Sequence, residues 1–263
     1  MNYTWITVIG ILFIFLMSTL GSLLVYCFKE GKSEKLNTVF FGFAAGIMIA
    51  ASIWSLLLPA IEEAERLLDK YAVLPIVFGV LFGGALMILF EKALKVFEKR
   101  KNHQENGAIL LKKSAKLFFA VTLHNIPEGL AVGFAFGVAS VTGNTAAYFT
   151  ALGLAFGIGI QNFPEGLAVS LPISAELKNK SKAFFYGALS GFIEPVFAVI
   201  GYFTATYLNV LQPWLLSFSA GAMLFVVAEE LIPNAKSEKS CLISACFVLL
   251  GFSLMMALDV AFG

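Results

Sequence analysis

The sequence predicts an all-α polytopic membrane protein: eight transmembrane helices in an inverted-repeat bundle, with both termini outside. Three observations predict it. First, of 263 residues 59% are hydrophobic and 13% charged, against about 25% charged in ordinary soluble domains. Phenylalanine alone occurs 27 times. A soluble core cannot hide that much apolar surface, so most of it faces lipid or other helices. Second, apolar tracts of bilayer-spanning length recur along the whole chain. Third, the basic residues fall in alternate connections.

The spans follow in order, as a single transmembrane domain over 1–263. The first, about 5–28, lies in a stretch without charge. It lacks a basic leader and is followed by Lys29, so it reads as a retained span and not a cleaved signal. Further tracts run over about 36–58, 72–91, 117–139, 147–172, 183–208, 212–235 and 241–262. Roughly 20 apolar residues cross a bilayer. Two uncharged tracts are too long for one crossing, and each breaks at turn-forming residues: 129–164 at "SVTGNT" and 195–228 at "LNVLQPW".

Orientation comes from the basic residues. Lys29, Lys32 and Lys35 lie between helices one and two. Lys92, Lys95, Lys99, Arg100, Lys101, Lys112, Lys113 and Lys116 lie between three and four. Lys178, Lys180 and Lys182 lie between five and six, and Lys236 and Lys239 between seven and eight. Only Arg66 and Lys70 fall on the other side. By the positive-inside rule the lysine-rich side is cytoplasmic, and the expected location is the inner (plasma) membrane. The polar linker at about 97–115 reads as cytoplasmic and mobile. His103 within it reads as solvated, since one imidazole without neighbouring ligands holds metal poorly. A net charge of +1 implies no nucleic acid partner. Cys27, Cys241 and Cys246 are odd in number and lack CxxC spacing, so they read as apolar filler.

Chemistry enters with the polar groups inside these spans. "HNIPEGLAVG" at 124–133 returns as "QNFPEGLAVS" at 161–170, differing only at the first, third and last positions. A charge at mid-helix costs about 2.5–3.5 kcal/mol on insertion scales. The chain accepts this at Glu128, Glu165 and Glu194, with Glu229 and Glu230 expected to join them. No embedded Lys or Arg accompanies these carboxylates, so protons or metal ions must neutralise them. Residues i and i+4 share a helix face, which pairs His124 with Glu128 and Gln161 with Glu165. Asn125 and Asn162 project about 100° further round. Two neighbouring helices therefore offer two clusters: His124, Glu128, Gln161 and Glu165 in one, and Asn125, Asn162 and Glu194 in the other, with a carboxylate shared. Imidazole, carboxylate and amide without thiolate suit zinc, iron(II), manganese or cobalt.

Pro127, Pro164 and Pro195 each stand beside one of these Glu residues. Each removes a backbone donor and crowds the carbonyl four residues earlier, which predicts kinks along an ion path. Helix four enters from the cytoplasm and helix five returns, so the motif copies run antiparallel, as in transporters with inverted repeats. The pairs Gly42/Gly46, Gly133/Gly137, Gly153/Gly157 and Gly187/Gly191 allow close helix packing or serve as sliding surfaces.

"HNIPEGLAVG", "QNFPEGLAVS", "GFIEP" on helix six and "AEELIP" on helix seven resemble the ZIP family of divalent metal transporters, and within it the bacterial eight-helix branch. The resemblance covers essentially the whole chain. It implies an inward carrier of zinc, with iron, manganese, cobalt or cadmium as further cargo. It also implies a binuclear centre between helices four and five, a homodimer, and elevator-like sliding of helices one, four, five and six against the other four. Divalent metal ions and the lipid bilayer are then the partners, and the ion is transported substrate and not a cofactor. Residue by residue, His124, Glu128, Gln161 and Glu165 match the family's first metal position. Asn125, Asn162, Glu165 and Glu194 match its second. Glu230 matches a carboxylate near the cytoplasmic exit, Glu229 stands where relatives often have His, and Met48 resembles a residue near the metal pathway. Asn162 departs from the Asp that two-metal members often carry.

The embedded polar groups admit two rival classes. Buried carboxylates also serve as proton relays, so a proton-driven carrier of another substrate is the alternative. An intramembrane zinc hydrolase needs a HExxH pair or a comparable base beside an open metal position. Residue 125 is Asn, and no second His lies in any apolar span, so no enzyme activity is expected.

The orientation is testable in intact cells. In a chain otherwise free of cysteine, an Asn106→Cys variant should resist an impermeant thiol reagent, and an Asp69→Cys variant should react with it. The reverse labelling pattern overturns the topology.

Overall fold

The computed structural model describes residues 4–28, 34–104, 113–205, 209–236 and 241–262. They form eight long helices and, among them, no strand. Helix α1 is Thr4–Leu23, extended by a 3-10 turn over Leu24–Cys27. Helix α2 comprises Glu34–Ala51, a π-helical turn Ser52–Leu57, and Leu58–Leu68. Helices α3 (Val73–Gln104), α4 (Lys113–Thr142), α5 (Thr145–Leu177) and α6 (Lys180–Thr204) are continuous. Helix α7 comprises Gln212–Val226, a π-helical turn Val227–Leu231, and Ile232–Ala235. Helix α8 is Cys241–Phe262. Seven of the eight contain a stretch long and apolar enough to cross a membrane. The eighth, α4, is 30 residues long and carries the first motif. The protein is a multi-pass membrane protein.

The breaks fall where turn chemistry places them. Gly143 takes φ 62°, ending α4, and the Asn144 side chain accepts a hydrogen bond from Ala146 N at 2.9 Å to cap α5. Asn179 caps α6 in the same way, accepting from Lys182 N at 2.9 Å after Lys178 closes α5 in the left-handed region. A 3-10 turn, Asn209–Leu211, precedes α7.

One expectation changes. Within the linker expected over 97–115, residues 97–104 are helical as the end of α3, and 113–115 are helical as the start of α4. "FEKRKNHQ" is rich in helix formers, and extending an existing helix needs no new nucleus. Residues 105–112, Lys29, Lys32 and the His103 side chain lie outside what is described. Pro127, Pro164 and Pro195 lie inside continuous helices.

Packing divides the helices into partners distant in sequence: α1 with α5, α4 with α6, α2 with α8, and α3 with α7. In each pair the backbones touch at glycine. A Cβ added at Gly166 would overlap the Ser18 carbonyl oxygen, and one at Gly129 or Gly133 would overlap that of Glu194 or Ala198. Gly46 meets the carbonyl of Val248, and Gly221 that of Val80. Helices α1, α4, α5 and α6 form one group through mutual contacts, and α2, α3, α7 and α8 surround its other side.

These contacts extend the repeat beyond the two motif copies. Phe43, Gly46 and Met48 of α2 correspond to Phe218, Gly221 and Met223 of α7, and the π-helical turns start at equivalent places, Ser52 and Val227. The correspondence is α1 with α6, α2 with α7, α3 with α8 and α4 with α5, an inverted arrangement throughout. Gly42/Gly46, Gly133/Gly137 and Gly187/Gly191 are packing surfaces within pairs or groups. Gly157 instead faces the Ser55 hydroxyl across the two groups, with 2.7 Å to a built Cβ.

A paired substitution tests this packing. Gly133→Ala should lower the thermal stability of the detergent-purified protein by about 1–3 kcal/mol or prevent folding, since backbone lies in the way. Gly84→Ala, where the nearest atom to an added Cβ is 4.0 Å away, should leave the melting temperature unchanged or slightly raised.

Candidate metal centre

The duplicated motif places its side chains at the crossing of α4 and α5. His124 and Glu128 lie one turn apart on α4, and Gln161 and Glu165 one turn apart on α5. All four are buried, with 0% exposure except 3% for Glu165. His124, Glu128 and Glu165 each offer a ligand atom, and these lie within 4.8 Å of one another. His124 Nε2 stands 3.2 Å from Glu165 Oε2. Gln161 Nε2 donates to Glu128 Oε1 at 2.6 Å. Atoms bound to one tetrahedral zinc ion sit about 3–3.5 Å apart given metal–ligand bonds near 2 Å. Small rotamer adjustments would close the set around an ion.

The second set gathers beside α6. Asn162 Nδ2 donates to Glu194 Oε2 at 2.5 Å and to the Ile14 carbonyl of α1 at 3.3 Å. Asn125 Nδ2 donates to the Ser190 carbonyl at 3.1 Å, one turn before Glu194. A carbonyl accepts only, so these bonds fix which end of each amide is nitrogen and turn the oxygen away from the anchor. The Glu194 carboxylate is close enough to Glu128 and Glu165 for direct electrostatic repulsion.

Several oxygens in this assembly keep no hydrogen-bond partner: Asn125 Oδ1, Glu128 Oε2, Gln161 Oε1, Asn162 Oδ1 and Glu194 Oε1. Buried polar atoms ordinarily find partners. Two orphaned carboxylate oxygens and three orphaned amide oxygens, gathered around three buried carboxylates, are a demand for cations. Among the described residues no Lys or Arg is buried. The donor set fits a divalent transition ion.

Other expected residues fall elsewhere. Glu229 is exposed and Glu230 half-buried, so neither joins the buried carboxylates expected from the sequence. Both lie in the π-helical turn Val227–Leu231, near the end of α7, where Asn234 Nδ2 donates to the Glu230 carbonyl at 2.7 Å. Met48 is buried in the core, its carbonyl accepting from Ser52 Oγ at 2.7 Å. Its repeat counterpart Met223, which sequence reasoning passed over, puts its sulfur 4.0 Å from Gln161 Nε2. The "FxxGxM" match between α2 and α7 is the signal that could have found it.

Sequence reasoning also missed Asp259, the only charged residue in the apolar run of α8. Its Oδ1 accepts from Ser55 Oγ at 2.7 Å. The pair lines a cavity of about 960 Å³ between the two helix groups, together with Glu62, Ile160 and Leu216. Ile160, on the cavity wall, is the residue before Gln161 on α5.

These features define a class: a membrane-embedded helical bundle with a candidate metal-ligand cluster at its core. The sequence of residues 113–259 matches the family described as ZIP zinc transporter. The chain is 34% identical to the zinc transporter ZIP11 of Xenopus tropicalis, over 98% of this chain and 97% of that protein. It is 33% identical to the zinc transporter GufA of Myxococcus xanthus over 93% and 94% of the respective chains. To the zinc transporter ZIPB of Bordetella bronchiseptica it is 31% identical, over 95% of this chain and 79% of the relative. The chain belongs to the ZIP family.

The charge count around Asn162 generates a prediction. The first ligand set holds two carboxylates, enough to neutralise one dication. A second dication nearby finds Glu194, part of Glu165 and two neutral amides, and like charges a few Å apart repel strongly in a low-dielectric site. Wild type should bind one ion tightly and a second weakly, and Asn162→Asp should strengthen the second site about tenfold or more by adding a charge. Calorimetric stoichiometry decides; two tight ions in wild type, unchanged in the variant, contradict the charge count.

Proposed function

We propose that this protein carries divalent transition-metal ions across the membrane into the cytoplasm, zinc foremost, with iron, manganese, cobalt and cadmium as further cargo. The observation that carries this reading is the set of buried side chains of His124, Glu128, Gln161 and Glu165 on two crossing helices, with no buried Lys or Arg among the described residues to neutralise them. Relatives named as zinc transporters over nearly the full chain support it.

An ion in the first position takes His124 nitrogen and carboxylate oxygen from Glu128 and Glu165, with the Gln161 amide as a neutral fourth donor. Glu165 is shared with the second position, where Asn125, Asn162 and Glu194 supply oxygen. The Ser55–Asp259 cavity is the approach from one side, and Glu230, with Glu229 beside it, lies on the departure side. The glycine-welded group α1, α4, α5 and α6 moves as a unit against α2, α3, α7 and α8, exposing the centre to each side in turn. The bias of basic residues supports cytoplasmic lysine-rich loops and external termini in a plasma (inner) membrane protein, and the family resemblance supports a homodimer. The chain is a carrier and not a hydrolase: Asn125 occupies the place where a general base would stand.

Proteoliposome flux tests this. Wild type should accumulate zinc and cadmium, and Glu165→Ala should reduce uptake to background while retaining its melting temperature in detergent. Wild-type uptake by the variant rules out a shared carboxylate ligand at this position, and absence of divalent-metal flux in wild type rules out the transport reading.

A further inference from the structure

Ser219 of α7 is fully buried, and its hydroxyl has no hydrogen-bond partner. Other interior serines behave differently. Ser52 donates to the carbonyl one turn earlier, Ser190 to Gly187 O, and Ser55 to Asp259. Ser217, two residues before Ser219, donates to the Pro75 carbonyl of α3 at 2.9 Å. A serine in a helix ordinarily satisfies itself by bonding back to its own helix. Ser219 does not.

Its place on α7 says what the hydroxyl is near. The α3 side of α7 is fixed by Ser217, Phe218 and Gly221, which meet α3 directly. Leu216 lines the cavity that holds Ser55 and Asp259. Met223 touches Gln161 of the metal centre. Ser219 lies three residues after Leu216 and four before Met223, hence on the face that joins the two, turned from α3. It stands about 6 Å along the helix from Met223, at 1.5 Å rise per residue. Leu216 and Met223, before and after Ser219 along this face of α7, are apolar.

We infer that Ser219 is a further ion-binding residue: a neutral oxygen ligand for the divalent cation on its way between the Asp259 cavity and the His124–Glu165 cluster. This rests on the transport reading above. A partly dehydrated dication crossing an apolar constriction needs replacement oxygen. A neutral hydroxyl supplies one and, unlike a carboxylate, does not trap the ion.

The test uses the full-length protein in which Cys27, Cys241 and Cys246 are replaced by serine. Ser219→Ala deletes one oxygen. It should lower the maximal zinc flux in proteoliposomes by about fivefold or more while leaving calorimetric zinc binding at the centre unchanged. Ser219→Cys offers a softer ligand and should shift the cadmium-to-zinc flux ratio about fivefold or more toward cadmium. A purely structural serine would not change that ratio. Zinc should also slow alkylation of the Ser219→Cys thiol by a small methanethiosulfonate reagent. The Ser217→Cys thiol, facing α3, should show no zinc effect. Wild-type flux in Ser219→Ala, or an unaltered metal ratio in Ser219→Cys, overturns the inference and leaves the transport reading standing. If wild type carries no divalent metal, the transport reading fails by itself, and alkylation in the presence of zinc still decides whether Ser219 meets the ion.

Discussion

Glu128, Glu165 and Glu194 are held away from water among helices that bury no lysine or arginine among the described residues, and the surrounding architecture answers that constraint. Carboxylates in a low-dielectric interior are costly unless paired. Here partial relief comes from neutral donors: Gln161 to Glu128 and Asn162 to Glu194. An amide offsets part of the desolvation without cancelling the charge, so the site keeps a standing demand for a cation. A lysine in the same place would have satisfied the carboxylates permanently, and no exchangeable ion could compete.

Close approach of the helices is what keeps this arrangement dry. Glu194 reaches the centre because Gly129 lets α6 rest directly on α4, and Asn162 reaches the Ile14 carbonyl because α1 lies against α5 at Gly166. The same glycines that permit backbone contact thus also set the register of the ligands. The amide anchors on Ser190 and Ile14 carbonyls then aim the amide oxygens, fixing ligand direction without spending a charged group on it.

Much of this was legible in the sequence because charge in an apolar span has few explanations. The eight-helix architecture, the turns at Gly143–Asn144 and before Gln212, and the coming together of His124, Glu128, Gln161 and Glu165 all follow from periodicity and cost. Other features were not legible. Glu229 and Glu230 sit in an apolar tract by composition, yet a π-helical turn near the helix end brings them outward, and local widening of a helix leaves no clear mark in composition. Asp259 was hidden because a lone acid near a helix end looks like a terminal residue until Ser55, 204 positions away, is seen beside it. The α2–α7 correspondence rests on three identities at fixed spacing, too sparse to notice before packing gives those positions a shared role.

The pairing of helices has a consequence for biosynthesis. The principal partner of α1 is α5, that of α4 is α6, that of α3 is α7, and that of α2 is α8. As the chain leaves the ribosome, the first four helices enter the bilayer without their principal partners, and the notches at Gly21, Gly42, Gly83 and Gly129 stay open to lipid. Each later helix then fills one: α5 on α1, α6 on α4, α7 on α3, α8 on α2. The last three closures are nested, widening outward from the α4–α5 crossing like successive layers. Assembly is therefore dominated by contacts far apart in sequence, the slow kind. The half-made transporter must be sheltered from wrong helix partners until Cys241–Phe262 arrives to cover Gly46.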